Sequence, residues 1–300
     1  MMPGHRTTPI SRVGAGTPQH TSRTWLLTGI PRSGSSLCCR LADKLPGVVA
    51  ASEPIRRDLS SSAADAESAC TLIERFVERT RARAIAEGIV PTVHVDGRLD
   101  DDRVAGEAGG DGLRRRRGEQ GEIALAGELA PGFGLLIKHN ALFAALLPHL
   151  TQRFDCLAIV RNPLAVLASW QTVDLPVARG RIPAGEQFDD RLRTTLDAEP
   201  DLLRRQVVVL DWFFLRYDAY VDVRKVIRYE DLIDTGGRVL YQALGDAEAR
   251  PELLVNRNDN VAYDAVDVDR LLQALLERGG AWSAFYAASE LTAVAEALSR

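Results

Sequence analysis

Two glycines five residues apart, Gly29 and Gly34, lead into the hydroxyls of Ser35 and Ser36, residue types suited to holding phosphate. Glycine lets a backbone approach an anion closely, and N–H groups at the start of a following helix point at it with the positive end of the dipole. The stretch TGIPRSGSSLCCR fits the phosphate-binding pattern GxxxxGKS/T except that Ser35 stands where the lysine belongs. The cation has moved three residues earlier, to Arg32, inside the loop. There it reaches a different oxygen of the bound group from the one the lysine takes. On the loop alone, an ordinary strand-to-helix turn with Ser33 as N-cap is the alternative.

Further residues with acid–base or anion-binding chemistry stand at the ends of apolar runs. Arg161 closes CLAIVR, with Ser169 eight positions on in AIVRNPLAVLAS. Lys138 and His139 close GLLIKH, Glu53 follows VVAAS, and Tyr229 follows VRKVIR. His94, in TVHVDGR, is a further imidazole.

The elements that must position these residues follow from periodicity. Short apolar runs at Thr24 to Gly29, Gly134 to Lys138, Cys156 to Val160 and Val223 to Tyr229 predict strands, and Ser35 to Lys44 changes to helical spacing. Strands alternating with helices indicate an α/β fold with a central parallel sheet flanked by helices, binding ligands outside the carboxyl ends of its strands. VVVLD at 207–211 resembles a strand closed by a magnesium-binding Asp. However, Leu203, Val207, Leu210, Phe214, Tyr217 and Val221 recur at steps of four and three, which predicts one helix. The segment 104–121, rich in glycine and charge, reads as a mobile loop, and 171–200 as a surface excursion able to act as a lid. The run Arg114 to Arg117 is either a solvated cluster or a basic lid facing substrate.

Composition narrows the partners. The chain has 300 residues, 46% of them hydrophobic, enough for a sizeable core, and a formal net charge of -4. That charge and a pI near 5.8 argue against general affinity for nucleic acid or anionic membranes, so an anion site has to be built locally. Cys38, Cys39, Cys70 and Cys156 show neither a disulfide framework nor zinc-site spacing, and Cys38 and Cys39 read as buried residues of the loop helix. No apolar run approaches the ~20 residues that span a bilayer. Residues 1–22 read as a disordered tail before a single domain, 23–300, in a cytoplasmic monomer or homodimer acting on a small molecule.

With these residues in place, the sequence resembles the sulfotransferase family. That family's phosphosulfate-binding loop reads Pro, Lys or Arg, Ser, Gly and two hydroxyl residues after the first strand. Here it is Pro31-Arg32-Ser33-Gly34-Ser35-Ser36. Its second signature, a strand-ending arginine with a serine eight residues on, is matched by Arg161 and Ser169. Lys138-His139 in GLLIKHNALFAALLP and the YEDL at 229–232 are similar to further family stretches, and Arg278-Gly279-Gly280-Ala281-Trp282 is a shortened version of its RKGxxGxW segment. The resemblance covers roughly residues 24–285 and implies a three-layer sandwich like that of P-loop nucleoside triphosphatases.

The resemblance implies 3′-phosphoadenosine-5′-phosphosulfate as donor and adenosine 3′,5′-bisphosphate as product, with no metal. The chemistry is in-line transfer of a sulfuryl group to a hydroxyl or amine of a small-molecule, lipid or carbohydrate acceptor. Arg161 and Ser169 then bind the 3′-phosphate, Arg32 with the loop N–H groups and the Ser35 and Ser36 hydroxyls neutralises the bridging oxygen, and Lys138 is a second cation. Three general bases stay open: Glu53, His139 and His94. Tyr229 either contacts the adenine or belongs to the core. A nucleotide kinase or triphosphatase, or a non-catalytic nucleotide-binding protein, are the competing readings; the first lacks its lysine, and Arg32 argues against the second.

Overall fold

The computed structural model describes residues 23–56, 63–104, 109–258 and 261–299, so the expected tail lies outside the described residues. Five runs rich in Val, Leu, Ile and Ala form the sheet: β1 (Thr24–Gly29), β2 (Val48–Ser52), β5 (Gly134–Lys138), β6 (Asp155–Val160) and β7 (Val226–Arg228). All neighbours are parallel, in the order β2-β5-β1-β6-β7. Near-continuous apolar strands are what a sheet covered on both faces requires.

Alternation along each strand feeds two cores. Leu26, Leu135, Ile137, Ala158 and Val160 face α2 (Ala66–Glu87), α3 (Asn140–Leu150), α4 (Pro163–Trp170) and α7 (Leu202–Tyr220). Leu27, Leu136, Leu157 and Ile159 pack with Cys38, Cys39 and Leu41 of α1 (Ser35–Ala42) and with residues of α8 (Tyr229–Asp234) and α9 (Arg238–Ala243). The result is the expected three-layer α/β arrangement. Two further helices, α10 (Val268–Arg278) and α11 (Ala288–Leu298), pack with α4, all of whose residues are buried. Among the described residues no helix is long and apolar enough to cross a membrane.

The chain leaves β1 toward β2 on one side and later returns through β5 to β6 on the other, which opens a crevice at the carboxyl end of β1. The stretch 207–211 lies within α7, as its periodicity predicts, and Asp211 accepts a hydrogen bond from the Ala281 N–H at 2.7 Å.

Several expectations are corrected. Strand β7 is three residues long: Asp222 caps a 3-10 turn at Val223–Lys225, and Tyr229, followed by two first-turn acids, opens a helix instead. The segment 104–121 is not simply a loop. Glu119–Ala124 is β4, antiparallel to β3 (Ile89–His94), and this hairpin adjoins β2 through the Ser52 N–H to Thr92 Oγ1 bond of 2.9 Å. The expected lid contains a 3-10 turn (Pro176–Arg179), α5 (Pro183–Phe188) and α6 (Asp190–Ala198). Pro176 and Pro183 start helical turns and Gly180, at φ 63, ends one, so these three residues that looked like loop markers are helix boundaries. Leu175, Val177, Ile182, Leu192 and Leu196 anchor the segment in the core.

Candidate functional site

The loop between β1 and α1 is held from behind. A Cβ on Gly29 would meet Ile159 Cγ2 at 2.6 Å, so only glycine lets β1 pass β6 at this point. Ser33, fully buried, donates to the Ile159 carbonyl at 3.1 Å; Trp170 Nε1 donates to the Pro31 carbonyl at 2.9 Å; Arg161 Nη1 donates to the Arg32 carbonyl at 2.9 Å. Arg32 and Gly34 both adopt positive φ, 77° and 94°. Gly34, rather than Ser33, is the N-cap of α1 and offers no side-chain cap. The first-turn N–H groups of Ser35, Ser36 and Leu37 therefore have no intrahelical acceptor and form a ready anion site.

Beside the loop an arginine cluster has formed around one carboxylate. Arg32 Nη1 lies 2.6 Å and Arg257 Nη1 2.8 Å from the two oxygens of Asp102. Burial raises the Asp102 pKa, but the bonds and charge of Arg32, the Val104 N–H and the charge of Arg257 prevail and leave it at about 2. Arg32 Nε also donates to Ser169 Oγ at 3.2 Å, so Ser169, fully buried, lies behind Arg32 and does not line the cavity. Arg161 is buried, its guanidinium 4.7 Å from the centre of the Tyr229 ring, and donates to Asn258 Oδ1 at 2.7 Å. Glu230 ties this corner together, accepting from Asn162 N (3.0 Å), Asn258 Nδ2 (2.8 Å) and the Tyr286 hydroxyl (2.8 Å).

The ends of β2 and β5 supply a second cluster. Their register pairs Ser52 with Lys138, so Glu53, at φ 47°, falls beside the lysine: Lys138 Nζ to Glu53 Oε1 is 2.8 Å. Arg103 and Arg116 approach Glu53 Oε2 at 3.1 and 3.4 Å. Burial pushes the Glu53 carboxyl up, but Lys138, Arg103, His139 and Arg116 outweigh it and hold it well below the usual carboxylate range. Burial also pulls His139 below its usual value, against the charge of Glu53, so the imidazole is neutral at pH 7. His139 Nε2 is 3.2 Å from the Ile55 carbonyl. A carbonyl only accepts, so this bond puts the proton on Nε2 and leaves Nδ1 as the acceptor.

One cavity of about 900 Å³ joins the two clusters, lined by Pro31, Arg32, Gly34, Ser35, Ser36, Glu53, Lys138, His139, Arg161 and Tyr229 among others. Tyr229 has a double position: it lines the cavity yet is 4% exposed. His94 is not brought there; it lies at the end of β3, with its ring over Gly121. Arg278 also lies elsewhere, exposed at the end of α10. The arginine run divides: Arg114 is buried on Thr172 (2.7 Å), Arg115 pairs with Asp111, Arg116 reaches Glu53, and Arg117 pairs with Asp100. Asp102, Arg103, Arg257 and Asn258 were missed because they sit in irregular segments with no motif spacing. Glu230 was within sight, in the YEDL stretch.

No protein-family model and no curated protein matches the chain. Among solved structures, it is similar to the crystal structure of sulfotransferase STF1 from Mycobacterium tuberculosis, with 14% identity and a TM-score of 0.32 over 94% of this chain and 79% of that one.

Proposed function

We propose that the protein transfers a sulfuryl group from 3′-phosphoadenosine-5′-phosphosulfate to a hydroxyl of a small-molecule acceptor. One observation carries this reading. The stretch at 31–36 and the pair Arg161 and Ser169, far apart in sequence, converge through the Arg161 to Arg32 carbonyl and Arg32 to Ser169 bonds. The site also fits an anion on its own evidence, because Arg32 and Arg257 already grip the two oxygens of a protein carboxylate.

When bound, the donor supplies the sulfuryl group: the acceptor oxygen bonds to sulfur, the bond from sulfur to the phosphate oxygen breaks, and its electron pair leaves on adenosine 3′,5′-bisphosphate. Arg161 and Arg257 hold the 3′-phosphate, while Ser169 accepts from Arg32 Nε and positions that guanidinium from behind. The N–H groups and hydroxyls of Ser35 and Ser36 hold the phosphosulfate, and Arg32 and Lys138 neutralise charge on the departing oxygen. His139 takes the acceptor proton on Nδ1. Glu53 is the weaker candidate, since three cations surround it and lower its basicity; it fixes Lys138 instead.

Calorimetric titration tests the reading. Adenosine 3′,5′-bisphosphate should bind without magnesium and more tightly than ATP with magnesium, and Arg161→Ala should weaken it about 30- to 150-fold, the loss of charge-assisted bonds worth ~2–3 kcal/mol. Tight ATP–magnesium binding with no bisphosphate binding would point to a kinase or triphosphatase.

A further inference from the structure

The cavity, at about 900 Å³, is near the top of the ~300–1,000 Å³ range of small-ligand sites, room for an acceptor beside the donor. Its wall is chemically divided. The charged groups belong to the loop, the strand ends, the 101–103 corner and Arg257, apart from Arg40 on α1, Arg56 and Arg116. An aliphatic part of the lining comes from Ile55, whose carbonyl meets the His139 imidazole, Val93 on β3, Leu142 on α3, and Val177, Ile182 and Ala184 from the segment between α4 and α6. Among the described residues lining the cavity, Tyr229 and His139 are the aromatic ones, and Tyr229 is under the Arg161 guanidinium.

Resting on the sulfuryl-transfer reading, we propose that the acceptor is an uncharged aliphatic alcohol, with the hydroxyl at His139 and the hydrocarbon against this wall. A sugar brings several hydroxyls, each costly to bury without a partner; Gln120 Nε2 is spent on the Pro54 carbonyl at 2.9 Å, and the Asn140 Oδ1 acceptor, which has no partner, serves fewer hydroxyls than a sugar carries. A protonated amine meets Lys138, Arg103 and Arg116, while the lining carboxylates Glu53, Asp101 and Asp102 are ion-paired. A phenol finds no ring to pack against in this wall. The alcohol enters as R–OH and leaves as R–O–SO₃⁻, its proton passing to His139 and the electron pair of the broken sulfur–oxygen bond leaving with adenosine 3′,5′-bisphosphate.

A homologous series tests the proposal. With radiolabelled donor, kcat/KM should rise roughly three- to fourfold per methylene along part of the range from 1-butanol to 1-decanol, and level off once the wall is covered. 4-Nitrophenol, N-acetylglucosamine and 1-octylamine should each be at least tenfold poorer than 1-decanol. Ala184→Glu should raise the KM for 1-decanol at least tenfold while adenosine 3′,5′-bisphosphate still binds as in the unaltered protein, which also shows that the variant folds. A flat series, or a sugar, phenol or amine outperforming 1-decanol while the bisphosphate binds, overturns the acceptor class and leaves the transfer reading standing. Bisphosphate binding with no alcohol sulfated has the same consequence, and no bisphosphate binding removes both.

Discussion

In the proposed reading, Asp102 competes with the two ends of adenosine 3′,5′-bisphosphate for the guanidinium groups of Arg32 and Arg257. Asp102→Asn should therefore tighten adenosine 3′,5′-bisphosphate binding, by roughly fivefold to thirtyfold, since a competing charged pair of ~1–2 kcal/mol is removed. The same substitution has a cost in stability. The folded pKa of about 2 lies below the unfolded value, so the pair's contribution is complete above about pH 4 and is lost as the pH falls toward 2. Urea unfolding should show Asp102→Asn less stable by about 2 kcal/mol at pH 7, with the gap nearly closed at pH 2. For His139, pushed below its usual 6.5, activity should fall only as the pH drops below that value. His139→Asn should lower kcat at least a hundredfold, remove that acid limb and leave bisphosphate affinity intact. If Glu53→Gln removes the limb instead, the base is the carboxylate. Arg32 and Arg161 were legible because their spacing is local. Asp102 and Arg257, 155 residues apart, are joined only by folding.

Elements carry the loop's precision. A Cβ on Gly34 would lie 2.8 Å from the Tyr229 ring and would have to adopt φ 94°. Gly34→Ala combines a left-handed backbone cost with overpacking against α8, so we expect a loss of roughly 2–4 kcal/mol in thermal or denaturant unfolding. Tyr229 thus supports the loop as well as lining the cavity. Strands β1, β5 and β6 and helix α7 were readable because their apolar periods are long and unbroken. The β3–β4 hairpin was not: Pro91, His94 and the charges of EQGEIA dilute the alternation, and its pairing is set by long-range contact with β2. In 171–200 the apolar residues are too widely separated by charges to announce three helical pieces, yet they bury together against α3 and α7.

At the scale of the whole molecule, the thiols report on the integrity of both cores. Burial raises all four, Cys39 and Cys156 to about 12 and Cys70 to about 11, with Cys38 raised further. A thiol reagent at pH 8 should label none within minutes in the native protein and all four in denaturant; rapid native labelling of Cys38 or Cys39 would show that α1 does not pack as described. By itself the sequence determined the first strand, loop and helix, the two stretches on which the proposed donor site rests, and the α/β class, because local periodicity and spacing encode them. Only the tertiary structure decided which groups meet: Asp102 between two arginines, Glu53 against Lys138, Ser169 behind Arg32, and His94 left aside. Those neighbours lie on different strands and loops, and their charges and burial exist only once the parallel sheet brings its carboxyl ends together.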